Sequence, residues 1–223
     1  MERFARNKQS ITEADQELLA QKKVLVLGCG GLGSHVLEGL VRIGIKQFGL
    51  CDDDVFEISN LNRQLNALET TIGKSKALMT YERIKLINSK ARSKIYPDKY
   101  PSSAISDDLP RYDLVIDCLD SIRTRKQLEI ECIKLNKPLI YGTIAGHYGY
   151  FGVINKDNQL MAIQENRNDS IEKQLGNPYY IVAMVASMQV MLAIRVLLDQ
   201  AYHKKGFYVI DLNDLSIEKI ELN

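Results

Sequence analysis

The residues of this chain best suited to chemistry begin with four glycines within six positions. Gly28, Gly30, Gly31 and Gly33 end the run Lys23-Val24-Leu25-Val26-Leu27-Gly28-Cys29-Gly30-Gly31-Leu32-Gly33. An apolar stretch bounded by turn residues is the pattern of a strand buried on both faces. Gly28, Gly30 and Gly33 form G-x-G-x-x-G, and Ser34-His35-Val36-Leu37 continues at helical spacing. In a strand, loop and helix of this kind the glycines permit a tight turn, a close approach of backbone to phosphate, and tight packing of helix on strand. The free N–H groups at the helix start attract the anion. Such a loop serves NAD, FAD, methyl-donor and ATP enzymes alike, so it points to a nucleotide without choosing one.

Later residues narrow the choice. Asp52 ends a second apolar run, Gln47-Phe48-Gly49-Leu50-Cys51-Asp52. It stands about 20 residues past the glycine loop, where an acid can accept from ribose hydroxyls. Asp52-Asp53-Asp54 also has the look of a solvated acidic turn, and the spacing favours a role for Asp52 while giving none to Asp53. Glu57-Ile58-Ser59-Asn60-Leu61-Asn62-Arg63-Gln64 follows, then Gly73-Lys74-Ser75-Lys76. An Asn, an Arg and a Lys delivered from two loops behind a phosphate-binding turn suit a triphosphate better than a dinucleotide. Arg offers a planar fork and Lys a point charge where negative charge accumulates on oxygen. Gly73-Lys74-Ser75 is not a Walker loop, because the upstream G-x-x-x-x-G-K spacing is absent.

The elements that must position these groups are legible from pattern. Thr12, followed by acidic residues, reads as the N-cap of a first helix within an N-terminal arm of about residues 1–22. Gly44 should stop the helix after the glycine loop near Ile43. A helix starts near Ala77, and Leu114-Val115-Ile116-Asp117 reads as a strand. So do Pro138 to Ile144 and Gly149 to Ile154, with a closing hairpin of Gly206 to Leu212 and Ser216 to Leu222. Tyr180 to Leu198 is apolar nearly all round, but Gln189 and Arg195 interrupt it, so a buried helix is expected rather than a membrane span. The polar stretch 166–178 ends in a turn signal and is expected to form a mobile loop over the site.

Composition sets bounds. With 223 residues, 45% hydrophobic and 26% charged, the chain suits one well-buried domain. Lys and Arg number 29 against 28 acidic residues, and the net charge of +1 gives no argument for nucleic acid or membrane. Cys29, Cys51, Cys118 and Cys132 show no C-x-x-C spacing, which argues against structural zinc and against a disulfide framework. The first residues carry charge and no apolar run, so a cytoplasmic setting is the default expectation.

Taken together, Gly28-Cys29-Gly30-Gly31-Leu32-Gly33, Asp52-x-Asp54, Ser59-Asn60-Leu61-Asn62-Arg63-Gln64, Gly73-Lys74-Ser75-Lys76 and Asp117-Cys118-Leu119-Asp120 resemble the ordered motif set of the ThiF/MoeB/HesA family, bacterial relatives of ubiquitin-activating enzymes. Arg3-Phe4-Ala5-Arg6-Asn7 is similar to that family's R-[YF]-x-R-Q entry, with Asn7 in place of Gln. The resemblance implies a Rossmann-like, doubly wound α/β domain over residues 1–223, with a mainly parallel sheet, helices on both faces and an antiparallel C-terminal extension. It implies ATP-dependent adenylation of the C-terminal glycine of a ubiquitin-like sulfur-carrier protein ending in Gly-Gly, serving thiamine, molybdopterin or another sulfur-containing product. On the same basis Asp52 and Asp54 belong to the nucleotide-binding set, with Asp52 holding the ribose. Asn60, Arg63, Gln64 and Lys76 would face the phosphates, Asp120 would bind Mg²⁺, and Arg6 would reach a neighbouring subunit's site in a homodimer.

Each residue has a plainer use: Arg63 as a surface ion-pair partner, Lys76 as a solvated helix start, Asp120 as the N-cap of a helix beginning near Ser121. Many family members carry zinc-binding C-x-x-C pairs and a downstream reactive cysteine, and this chain has no cysteine after Cys132. Cys118 in an apolar strand pattern and Cys132 in a helix are expected to pack as small hydrophobes rather than react. None of His35, His147 and His203 is assigned a role; His147, beside Gly146, is the one placed to face the cleft. Two rival readings are an NAD-dependent oxidoreductase, which leaves Arg63 and Lys76 unexplained, and a non-catalytic subunit that binds a ubiquitin-like partner.

Overall fold

The computed structural model describes residues 2–159 and 174–222. Residues 166–173 of the expected mobile loop lie outside the described residues. Eight strands form one sheet: β1 (Lys23–Leu27), β2 (Gln47–Cys51), β3 (Arg92–Tyr96), β4 (Leu114–Asp117), β5 (Leu139–Ala145), β6 (Tyr148–Ile154), β7 (Gly206–Asp211) and β8 (Ser216–Glu221). Their order across the sheet is β3-β2-β1-β4-β5-β6-β7-β8. The first five are parallel neighbours, and β6, β7 and β8 pair antiparallel. This is the expected mainly parallel sheet with an antiparallel C-terminal extension.

Strands β1, β2, β4 and most of β5 are buried on both faces, which is why they read as unbroken apolar runs, whereas the edge strand β3 is polar and half exposed. Val24 and Val26 of β1 join one cluster, while Leu25 and Leu27 join the other. The first cluster is filled by α2 (Gly31–Ile43), α3 (Lys76–Ile87) and α6 (Tyr179–Leu197); the second by α4 (Ser103–Asp108) and α5 (Ile122–Lys134). Helix α1 (Glu13–Leu19) begins with the expected Thr12 cap, whose side chain accepts from the Asp15 N–H while Asp15 returns a bond to the Thr12 N–H. The arm is fastened by Gln16, whose amide donates to the Ile43 carbonyl at 2.6 Å, one of the acceptors left over where α2 ends before Gly44.

Helix α6 is the one helix among the described residues long and apolar enough to cross a membrane. Half of its apolar window is buried in the fold, against α2 and strands β4 to β6. Its Gln189 is fully buried and donates to the Asp117 carbonyl at 3.0 Å, so a polar residue in an apolar helix is a deliberate tie to the end of β4. Gly142 of β5 lies directly under that carboxamide: a Cβ there would stand 2.7 Å from Gln189 Oε1 and closer still to Nε2 and Cδ. Gly142→Ala is therefore expected to destabilise the protein by roughly 1–3 kcal/mol through overpacking, measured by urea denaturation. A variant as stable as the wild type would show that the carboxamide can move aside.

Candidate active site

The carboxyl ends of β1, β2 and β4 open into a cleft of about 370 Å³. It sits where the chain, having placed β2 and β3 on one side of β1, crosses to place β4 on the other. In an open parallel sheet that reversal leaves a crevice at the strand ends. Three helix starts face it: Gly30 and Gly31 at α2, Lys76 at α3, and Asp120 just before α5. Gly30 caps α2 without any side-chain acceptor, which leaves the first amides for a ligand.

The glycine loop divides its work. Gly28 has φ +98°, and a Cβ on it would strike the Cys118 carbonyl, so the turn after β1 and the loop after β4 can meet only without a side chain. Gly33 does not line the cleft; a Cβ there would collide with the Gly28 carbonyl, so its job is to seat α2 on the loop.

Asp52 lies at the cleft wall and is already engaged. Its Oδ2 accepts from the Cys29 N–H at 2.6 Å and its Oδ1 from the Asp54 N–H at 2.9 Å, which orients the carboxylate across the glycine loop. Burial pushes its pKa above the usual carboxylate range, and those two N–H bonds oppose the shift without cancelling it. Asp54 lines the cleft, yet it serves Lys76 rather than the space: Lys76 Nζ meets Asp54 Oδ2 at 2.8 Å, and the Lys76 N–H donates to the Asp54 carbonyl at 3.0 Å. The Lys76 side chain is 9% exposed, so the reading of a solvated helix start fails. Helix α3 is capped by Ser75, which accepts from the Leu78 N–H.

Arg63 is positioned by its own turn, its Nη1 donating to the Ser59 carbonyl at 3.1 Å and to Asn62 Oδ1 at 2.8 Å. Asn62 in turn donates to the Asn177 carbonyl just before α6, and Arg63 makes no carboxylate pair among the described residues. Asn60 accepts from the Glu57 N–H and so shapes the turn as well as lining the cleft. Gln64 is buried against Gly30, and its Oε1 has no partner among the described residues. A buried acceptor without a donor is costly, so Gln64 is suited to receiving a donor from a bound molecule.

Asp120 is exposed in the cleft, and its carboxylate takes part in no hydrogen bond or ion pair among the described residues. It is not the cap of α5, because Ser121 fills that place by accepting from the Thr124 N–H. Arg6 is exposed and does not line the cleft. His147 also lies outside the lining, stacked on Tyr180 with ring centroids 5.7 Å apart. Strand β4 ends one residue before Cys118, because Asp117 Oδ1 captures the Leu119 N–H and turns the chain; Cys118 therefore lines the cleft instead of sitting within the strand. Burial raises the thiol pKa of Cys29, Cys118 and Cys132, and pushes Cys51 up to about 12. The thiolate needed for attack is scarce in all four.

Residues 4–223 match the ThiF family. This chain belongs to the ThiF family. It is 36% identical over 140 residues, 63% of the chain and 52% of the relative, to a sulfur carrier protein adenylyltransferase of Thermus thermophilus. It is 43% identical over 120 residues, 53% of the chain and 46% of the relative, to a tRNA threonylcarbamoyladenosine dehydratase of Haemophilus influenzae. The chain thus spans about half the length of these curated relatives. The fold is similar to the crystal structure of Escherichia coli MccB with ATP, with TM-score 0.85 and 22% identity, covering all of this chain and 72% of that one.

Sequence reasoning missed Arg125, which lines the cleft of this ThiF domain although it is 5% exposed. A signal was available: the first turn of α5, Ile122-Arg123-Thr124-Arg125, carries basic residues and no acid, against the preference of a helix N-terminus. The state of Asp52 yields a test with ATP as ligand. On the expectation that ionised Asp52 accepts from ribose hydroxyls, its raised pKa means the proton returns at a higher pH than on an exposed aspartate. ATP affinity measured by calorimetry should therefore fall on acidification before exposed carboxylates titrate. Asp52→Asn should bind weakly and lose that pH dependence.

Proposed function

We propose that this chain adenylates the C-terminal glycine carboxylate of a ubiquitin-like sulfur-carrier protein, using ATP and releasing pyrophosphate. The observation that carries the reading is the convergence of Arg63, Lys76 and the uncapped start of α2 on one cleft with Asp52 at its wall. The step joins a carboxylate oxygen to the α-phosphorus and breaks the bond from that phosphorus to the bridging oxygen, whose electrons leave with pyrophosphate. The nucleophile is already an anion at neutral pH, so no base is needed. What the protein must supply is alignment and positive potential, and helix starts plus Arg and Lys supply both.

The donor set suits Mg²⁺ at Asp120, a hard oxygen ligand left uncommitted in the cleft. The acidic group Asp52, Asp53 and Asp54 is a poorer candidate, because Asp52 is held by two N–H groups and Asp54 by Lys76. When bound at Asp120, the metal would add positive charge against the phosphates alongside Arg63 and Lys76. Asp52 would hold the ribose and Gln64 would accept from a ligand donor. Arg6 would enter the site of a second copy in a homodimer.

The similarity to the Thermus adenylyltransferase supports a carrier protein as substrate. The similarity to the Haemophilus dehydratase favours a second reading, a carboxylate carried on tRNA, against which the net charge of +1 offers little attraction for a polyanion. A dinucleotide would leave Lys76 and Arg63 with less phosphate charge than they can hold.

ATP–pyrophosphate exchange, with and without a Gly-Gly-ending carrier and Mg²⁺, tests the proposal. Exchange should require both, and Lys76→Ala and Asp120→Ala should each lower it by about 100-fold. Carrier binding without exchange would replace the enzyme by a binding subunit, and exchange driven by tRNA instead of carrier would favour the second reading.

A further inference from the structure

The loop after β4 is held by several ties, and one side chain, that of Arg125, links it to β5. Arg125 extends back toward the start of α5, as long side chains on helices do. Its Nη1 donates to the Gly142 carbonyl of β5 at 3.0 Å, its Nη2 donates to the Leu119 carbonyl, and its Nε lies 3.8 Å from Asp117 Oδ2. The guanidinium also stands over the Tyr141 ring, 5.4 Å from its centre. Other ties complete the frame: the Cys118 N–H donates to the Leu27 carbonyl, and Gln189 holds the Asp117 carbonyl. The bonds to the Asp117 and Leu119 carbonyls and from the Cys118 N–H restrain the backbone just before Asp120, and none of these ties uses the Asp120 carboxylate.

We infer that Arg125 is a positioning residue for Asp120, clamping Leu119 to β5 so that a free carboxylate is presented to a divalent cation bound with the nucleotide. This rests on the adenylation reading above. A single planar fork can hold two carbonyls on different elements at fixed separation, which an ammonium on a flexible stem does poorly. Lys in its place would keep the buried positive charge beside Asp117 while losing the second carbonyl. The loop would then sample other positions, and the cation would lose its preformed ligand; groups that orient a metal ligand typically govern metal affinity by 10- to 100-fold.

The test is calorimetric titration of the full chain with ATP, with and without Mg²⁺, for the wild type, Arg125→Lys, Asp120→Asn and the double variant. Arg125→Gln is carried alongside, and thermal melts select the variants that fold. The ratio of ATP affinity with Mg²⁺ to affinity without it should be about tenfold smaller for Arg125→Lys and for Asp120→Asn than for the wild type. The double variant should lose no more than Asp120→Asn alone, because Arg125 acts through Asp120. An undiminished Mg²⁺ gain in Arg125→Lys or in Asp120→Asn, or losses that multiply in the double variant, would overturn the inference while leaving ATP binding intact. So would failure of both Arg125 variants to fold, which would make the residue a support of the fold and not of the loop. A wild type that binds no ATP at all would instead overturn the adenylation reading.

Discussion

The structure depends on parallel pairing of β1 with β2 on one side and β4 on the other. That register brings the carboxyl ends of three strands to one edge, and with them the starts of the helices that follow. A helix start carries unpaired N–H groups and a partial positive charge, so converging starts make a field suited to a polyanion before any side chain is added. Only then do Arg63 and Lys76 matter, as charges placed on a surface that is already favourable. Glycine at positions 28 and 33 is the local condition for this arrangement, since a Cβ at either would drive the loop after β1 away from the loop after β4 or from its own helix.

The cleft is assembled from groups that are partly committed to one another. Asp52 is bonded to the glycine loop, Asp54 to Lys76, and Arg63 to its own turn. Such commitments orient the groups while the site is open, so less ordering remains for the moment of binding. They also carry a cost: a carboxylate raised by burial and a buried amide oxygen without a donor are both less stable in the free protein than they would be in solvent. Conflicts of this kind concentrate where function is sited, and here they face one cavity. The cysteines show the converse, since burial makes them inert thiols that fill space beside the site.

The amino-acid sequence by itself determined the family, most of the residues that meet in the cleft and most of the elements, but not the polar edge strand β3 or the short helix α4, which carry no apolar periodicity. Short apolar runs bounded by turn residues read as strands buried on both faces, Thr12 and Gly44 marked helix limits, and motif order identified Asp52, Arg63, Gln64, Lys76 and Asp120. These are local patterns, written within a few residues of each other. What only the tertiary structure decided is which partner each group takes. Asp54 pairs with Lys76, Gly33 seats a helix on the glycine loop, Arg6 stands apart from the cleft of its own chain, and Cys118 falls past the end of β4. Arg125 and Gln189 could not be assigned from spacing, because the carbonyls they hold, those of residues 117, 119 and 142, are backbone atoms that carry no sequence signature. A side chain that bonds to backbone across the fold is specified by packing, and packing exists only once the sheet has formed.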